Sequence, residues 1–128
     1  MSNFDIEDEA RRLKIKNWRG VFMRDNLPSF PKNKERAVIN LDGNIGAGTH
    51  WTCYDSSPEK ILYFDSFGLP PPKELVNYLR KRYRFQDIKY NTFILQSFDS
   101  SICGQLCLFV LKRLSDGEDF LDILLNLY

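Results

Sequence analysis

Apolar positions along the chain change period several times, and each change marks an element. FDIEDEARRLK (4–14) spaces Ile6, Ala10 and Leu13 near helical intervals, with acids ahead of bases as the helix dipole favours, and predicts a short helix. The segment 26–36, with Pro28, Pro31 and many charged or amide residues, predicts a loop. AVINL (37–41) is β-branched and apolar, which predicts a buried strand, and LDGNIGAGT (41–49), with three glycines, predicts an irregular loop. WTCYD (51–55) and ILYFD (61–65) predict two strands joined by SSPE (56–59). PPPKELVNYLRKRY (70–83) predicts a helix with its prolines at the start, where a missing N–H costs little. DIKYN (87–91) and TFILQ (92–96) predict one or two more strands. A helix over 101–113, a turn at SDG (115–117) and a short amphipathic helix in EDFLDILLNL complete the chain. The order α, β, ββ, α, β, α, α predicts an α+β fold, a central mostly antiparallel sheet with flanking helices.

Length and composition change this picture little. The 128 residues suit a single domain over 1–128, and 43% hydrophobic with 27% charged residues suits a globular one. No apolar run approaches the ~20 residues of a membrane span. The N-terminus, MSNFDIEDEA, has no apolar stretch of the secretory type. Three cysteines, an odd number, predict free thiols in a reducing, non-secreted setting. A net charge of +1 neither requires nor excludes nucleic acid. The basic run RKRYR (80–84) reads as a solvated helix face or, alternatively, as a weak phosphate contact through Arg80, Lys81, Arg82 and Arg84.

Candidate chemistry concentrates in a few positions, because the chain has one histidine, His50. If a four-residue loop at 56–59 joins the two strands, opposed residues sum to 115 and His50 falls opposite Asp65, with both side chains on one face. In SFDSSICGQLCLFV (97–110), Asp99 or Ser100 can cap a helix and Cys103 then lies in its first turn. Unpaired N–H groups and the dipole there favour a thiolate. Gly104 leaves room beside the sulfur. Cys103 as nucleophile, His50 as base and Asp65 as the group that orients the imidazole would form an acyl-transfer site. Gln96 ends the apolar run FIL and could donate to an oxyanion beside the Cys103 backbone N–H. The bland readings are a capping or core histidine and a small core cysteine. Cys107 and Cys53 read as core. A zinc site from His50, Cys53, Cys103 and Cys107 is a further alternative, although the spacing is unlike common structural sites. Trp51 reads as packing beside His50 that shields the pair from water.

Four motifs in order, WRGVFMRDNLPSF (18–30), GTHW (48–51), YFDSFG (63–68) and LQSFDSSICGQLC (95–107), resemble the adenovirus endopeptidase (adenain) type of cysteine protease. Related forms occur in virophages and in Maverick/Polinton virus-like transposons, and the wider clan includes the Ulp1-type SUMO proteases. The resemblance covers roughly residues 4–115. It implies a permuted papain-like fold, with His50 as base, Asp65 where the family has Asp or Glu, Gln96 in the oxyanion hole and Cys103 as nucleophile. It also implies cleavage of capsid or other virion precursors near small, often glycine, residues. The chain itself is expected to act as a monomer inside a virion or infected cell, with no metal or cofactor assigned to it. An isopeptidase acting on SUMO or ubiquitin conjugates and an inactive capsid-binding scaffold are the rival readings. The adenovirus enzyme continues well past its nucleophile helix, whereas about 25 residues follow Cys103 here, so strong activation by DNA is not expected.

Overall fold

The computed structural model describes residues 2–41, 50–94 and 102–127. Among them, five strands form one sheet in the order β1-β2-β3-β4-β5: Trp18–Met23, Glu35–Asn40, Trp51–Ser56, Ile61–Phe64 and Ile88–Tyr90. The inner pairs β2–β3 and β3–β4 are antiparallel, and each edge strand runs parallel to its neighbour. Four helices accompany the sheet: α1 (Asn3–Arg12), α2 (Lys73–Arg80), α3 (Cys103–Ser115) and α4 (Phe120–Asn126).

Alternation along the strands sorts side chains into two cores. Val38, Cys53, Leu62 and Phe64 pack with residues of α1, α3 and α4. Ala37, Ile39, Tyr54, Ile61 and Tyr63 pack on the other face with Leu75, Tyr78 and Leu79 of α2. Every residue of β3 and β4 is buried, as expected of the two central strands of a sheet covered on both faces. The second core also holds a buried carboxylate. Glu35 accepts from Arg19, the Lys32 N–H and the hydroxyls of Tyr54 and Tyr78. Four donors on one carboxylate offset the cost of removing its charge from water.

Several boundaries differ from the sequence reading. β1 is an additional strand, an edge strand whose residues are mostly half-buried and which holds Gly20 at φ +143°. It therefore lacks the clean alternation that marks a strand in sequence. The prolines 70–72 precede α2, with Pro72 at the N-cap position. The basic run continues from the end of α2, with Lys81, Arg82 and Arg84 exposed to solvent as a solvated face requires. Arg80 donates to the carbonyls of Tyr83 and Gln86, Lys81 to that of Ser29, and Arg82 to that of Pro31 while its guanidinium lies over Phe30. These bonds stitch the 26–34 loop to the end of α2. The predicted second strand at 92–96 is not a strand at residues 92–94, and Leu95 and Gln96 lie outside the described residues.

Candidate active site

The β3–β4 hairpin sets the first two candidate groups. Its paired residues sum to 117, as in Cys53–Phe64 and Ser56–Ile61, not 115. The Ser57 N–H donates to the Lys60 carbonyl at 3.0 Å, and the Ser57 hydroxyl accepts from the Lys60 N–H at 3.2 Å. The turn therefore closes around Pro58 and Glu59 alone, and the register moves by two residues. An even shift preserves which face each side chain occupies. Extrapolated past its last pair, the register sets Thr52 against Asp65 and His50 against Phe67. His50 and Asp65 become diagonal neighbours at one end of the hairpin, still on the same side. Their side chains meet, with His50 Nε2 2.7 Å from Asp65 Oδ1.

Phe67 occupies the position that the corrected register assigns it. Its ring stacks on the imidazole at a centroid distance of 4.2 Å and an interplanar angle of 7°. Its backbone N–H donates to the same Asp65 Oδ1 at 2.8 Å. Phe67 thus covers one face of the histidine, the shielding role that the sequence suggested for Trp51. Trp51 instead belongs to the core beneath α3.

Cys103 enters from a different direction. It is the first residue of α3, after Ile102 at the N-cap position, and no side-chain cap is found there among the described residues. Asp99 and Ser100, the expected caps, lie outside the described residues, as does Gln96. The start of α3 is docked on β3 by sulfur contacts. The Trp51 N–H donates to Cys103 Sγ at 3.4 Å, and one turn later Cys107 Sγ donates to the Trp51 carbonyl at 3.4 Å. Both peptide groups of the residue after His50 are therefore held by α3, and the bond to Cys103 Sγ is the one that ties the thiol to the strand following His50.

Electrostatics follow from this placement. Nε2 is taken by Asp65, which leaves Nδ1 as the nitrogen for the thiol. Nδ1 is buried and, among the described residues, lacks a hydrogen bond of ordinary geometry, although Cys103 is close enough to influence it. Such contacts are often loose before substrate binds. Burial alone would lower the His50 pKa, but Asp65 and then Cys103 outweigh it and raise the value to about 9. Burial pushes the Cys103 thiol up, while His50, the Trp51 N–H and the Gly104 N–H together bring it below its ordinary value. Both shifts act in the direction that favours a thiolate–imidazolium pair. Cys103 is 1% exposed and Asp65 wholly buried.

The remaining thiols do structural work. Burial pushes the Cys107 thiol up, and Cys53 Sγ donates to the Cys107 carbonyl. Among the described residues, no group of three or more His, Cys, Asp or Glu side chains is arranged to hold a metal ion, so the zinc reading of His50, Cys53, Cys103 and Cys107 gains no support. We expect Cys107→Ala, at a fully buried site, to cost about 1–2 kcal/mol of stability in a denaturant titration. The pH dependence of Cys103 alkylation should not change. A loss of Cys103 reactivity in the folded variant would contradict this division of roles.

Sequence reasoning missed two side chains at the site. Phe67 lies within YFDSFG, and a hairpin register two residues longer would have found it. Asn91, described below, carries no sequence signal beyond an amide at a strand end.

No family model matches the sequence, and no curated protein is similar to it. Solved structures are. The ASFV pS273R protease matches with a TM-score of 0.67 and 21% identity over 95% of this chain and 60% of that one. The selenomethionine form of the same protease matches with a TM-score of 0.65 and 17% identity, over 96% and 61%. The chain therefore spans about three fifths of the length of these neighbours. The described α+β architecture, a five-stranded sheet with four helices, is the fold of these protease neighbours.

Proposed function

We propose that the chain is a cysteine endopeptidase of the adenovirus-endopeptidase type, acting on capsid or other virion precursors beside small, glycine-rich segments. The observation that supports this most is the meeting of Cys103, His50 and Asp65 at one end of the hairpin, with both shifts favouring the ion pair. In this mechanism the Cys103 thiolate adds to the scissile carbonyl carbon, and the C=O electron pair moves to oxygen. The Cys103 N–H and, as the family resemblance implies, the Gln96 amide are the donors assigned to that oxygen. As the intermediate collapses, the C–N bond breaks and His50 Nδ1–H protonates the leaving amine. A thioester remains. Water attacks it, His50 takes the water's proton, and the thiolate is released with the acid. Asp65 holds Nε2–H throughout, keeping the ring oriented and favouring imidazolium.

A SUMO or ubiquitin isopeptidase is the second reading, favoured by the fold of the solved neighbours. One experiment separates them: the purified protein is incubated with virion precursor proteins, Gly-containing peptides and SUMO or ubiquitin adducts. Cleavage of precursors beside glycine, with the adducts intact, is the expected result. Cleavage of adducts alone would select the isopeptidase, and no cleavage of any would favour the capsid-binding scaffold. Adding duplex DNA should change turnover by no more than about twofold, since three of the four basic groups are committed to main-chain carbonyls. A larger stimulation that vanishes with salt, as phosphate contacts do, would make the run Arg80–Arg84 a functional patch. The proposed setting is the virion or infected-cell interior, with the protein acting as a monomer.

A further inference from the structure

Asp65 lies one residue beyond β4, where strand pairing has ended, yet it must hold the imidazole to within a few tenths of an ångström. The parallel β4–β5 ladder stops at Tyr63–Tyr90. At the next step the side chain of Asn91 replaces a strand. Its Oδ1 accepts from the Asp65 N–H at 3.1 Å, and its Nδ2 donates to the Asp65 carbonyl at 2.6 Å and to the Phe93 carbonyl at 3.3 Å. Asn91 is 2% exposed, so these bonds do not compete with bulk water. The Asp65 carbonyl also accepts from the Gly68 N–H at 2.8 Å, closing the turn that carries Phe67. Gly68 has φ +72°, and a Cβ there would come within 2.9 Å of the backbone at Thr92 and Phe93. The turn and the segment after β5 are thus pressed together, with the Asn91 amide between them.

We infer that Asn91 is a positioning residue, whose amide extends the sheet by one rung and so aims Asp65 and Phe67 at His50. The inference deepens the protease reading and rests on it for its importance to catalysis, but not for its geometry. Both main-chain bonds that Asn91 makes to Asp65 are lost in Asn91→Ala. The carboxylate then has freedom to leave Nε2, and Phe67, tied to the same turn, moves with it. The charged or titratable groups that face this pair are Cys103 on α3, which faces His50, with Tyr63 on β4 and Cys107 on α3 toward Asp65. None of them can replace the carboxylate at Nε2.

The single histidine makes the test direct, since the imidazole Cε1–H resonance needs no assignment. We expect the His50 titration midpoint, read by NMR, to fall by about one pH unit or more in Asn91→Ala, a tenfold loss of proton affinity. Asn91→Gln, which keeps the amide but places it one methylene too far, should show the same shift at a smaller cost in stability. Tyr78→Phe, which removes one bond to Glu35 in the opposite core, serves as control. It should lower the melting temperature without moving the midpoint. Where proteolysis is measured, kcat should fall about tenfold with KM little changed, and the alkaline limb should move down with the NMR midpoint. A folded Asn91→Ala or Asn91→Gln protein with an unshifted His50 midpoint would overturn the inference and leave Asn91 a purely structural amide. If the wild-type protein cleaves no substrate, the protease reading fails, while the NMR midpoint still decides the role of Asn91.

Discussion

Cys103→Ala should abolish hydrolysis of any peptide the protein cleaves, a loss on the order of a million-fold when a covalent nucleophile is removed. The expectation rests on placement. Cys103 is the thiol that begins a helix, receives the Trp51 N–H and lies beside the imidazole. Cys53 and Cys107 instead donate to main-chain carbonyls within the core. Alkylation followed by mass spectrometry gives an independent reading. Cys103 should react with iodoacetamide well below the free-thiol range of about 8.5, because His50 and two backbone N–H groups favour the thiolate. Reactivity that rises only near pH 8–9 would mean that the ion pair is not formed in the free protein. Full activity in Cys103→Ala would place the nucleophile elsewhere.

What could be read in advance, and what could not, follows from the kind of interaction involved. The hairpin brought His50 and Asp65 together in the sequence reading even though its register was wrong by two. Strand parity depends only on whether a count is odd or even, so an error of two left both side chains on one side. The same error concealed Phe67, because identifying a stacking partner needs the register itself. The missing information was a side-chain bond, Ser57 Oγ accepting from the Lys60 N–H, which tightens the turn. Helices α1, α3 and α4 were legible because each buries one face and keeps helical spacing. Strand β1 was not, since a half-buried edge strand has weak alternation. The run RKRYR is largely exposed, as its solvated reading expected, but its bonds to the main chain were not legible. Charge in sequence shows neither a free surface nor a bond, and here the recipients are carbonyls of Ser29 and Pro31, about fifty residues away. Asn91 was illegible for a similar reason: its role depends on Asp65 lying 26 residues before it, opposite the end of a parallel strand.

Asp65→Asn separates the two services that the carboxylate performs. Asp65 Oδ1 has two neighbours, His50 Nε2 at 2.7 Å and the Phe67 N–H at 2.8 Å. When the imidazole carries its proton on Nε2, both are donors. An asparagine must therefore turn its oxygen to this side, and its amide nitrogen falls where Oδ2 now lies, a buried atom with no partner among the described residues. Orientation of the ring is retained and the negative charge is lost. In a serine-type triad this change costs about four orders of magnitude, because the neutral imidazole adopts the wrong tautomer. Here the resting state favoured by the two shifts is an ion pair, and an imidazolium has a proton on both nitrogens, so the tautomer penalty is smaller. We expect kcat to fall by about 10–100-fold at pH 7. The larger signature lies in the pH profile. Activity requires thiolate and imidazolium together, so it appears as the thiol ionises and disappears as His50 loses its proton near 9. Removing the charge that raises His50 should move the alkaline limb down toward the ordinary histidine value of about 6.5, and the acid limb up as the thiolate loses part of its partner. The two limbs are macroscopic properties of the coupled pair, and the active window should narrow from both sides. An alkaline limb that stays near 9 in Asp65→Asn would show that Asp65 acts on orientation alone. A loss as deep as that of Cys103→Ala at every pH would show that the resting site is not an ion pair and that His50 must work as a neutral base held in one tautomer.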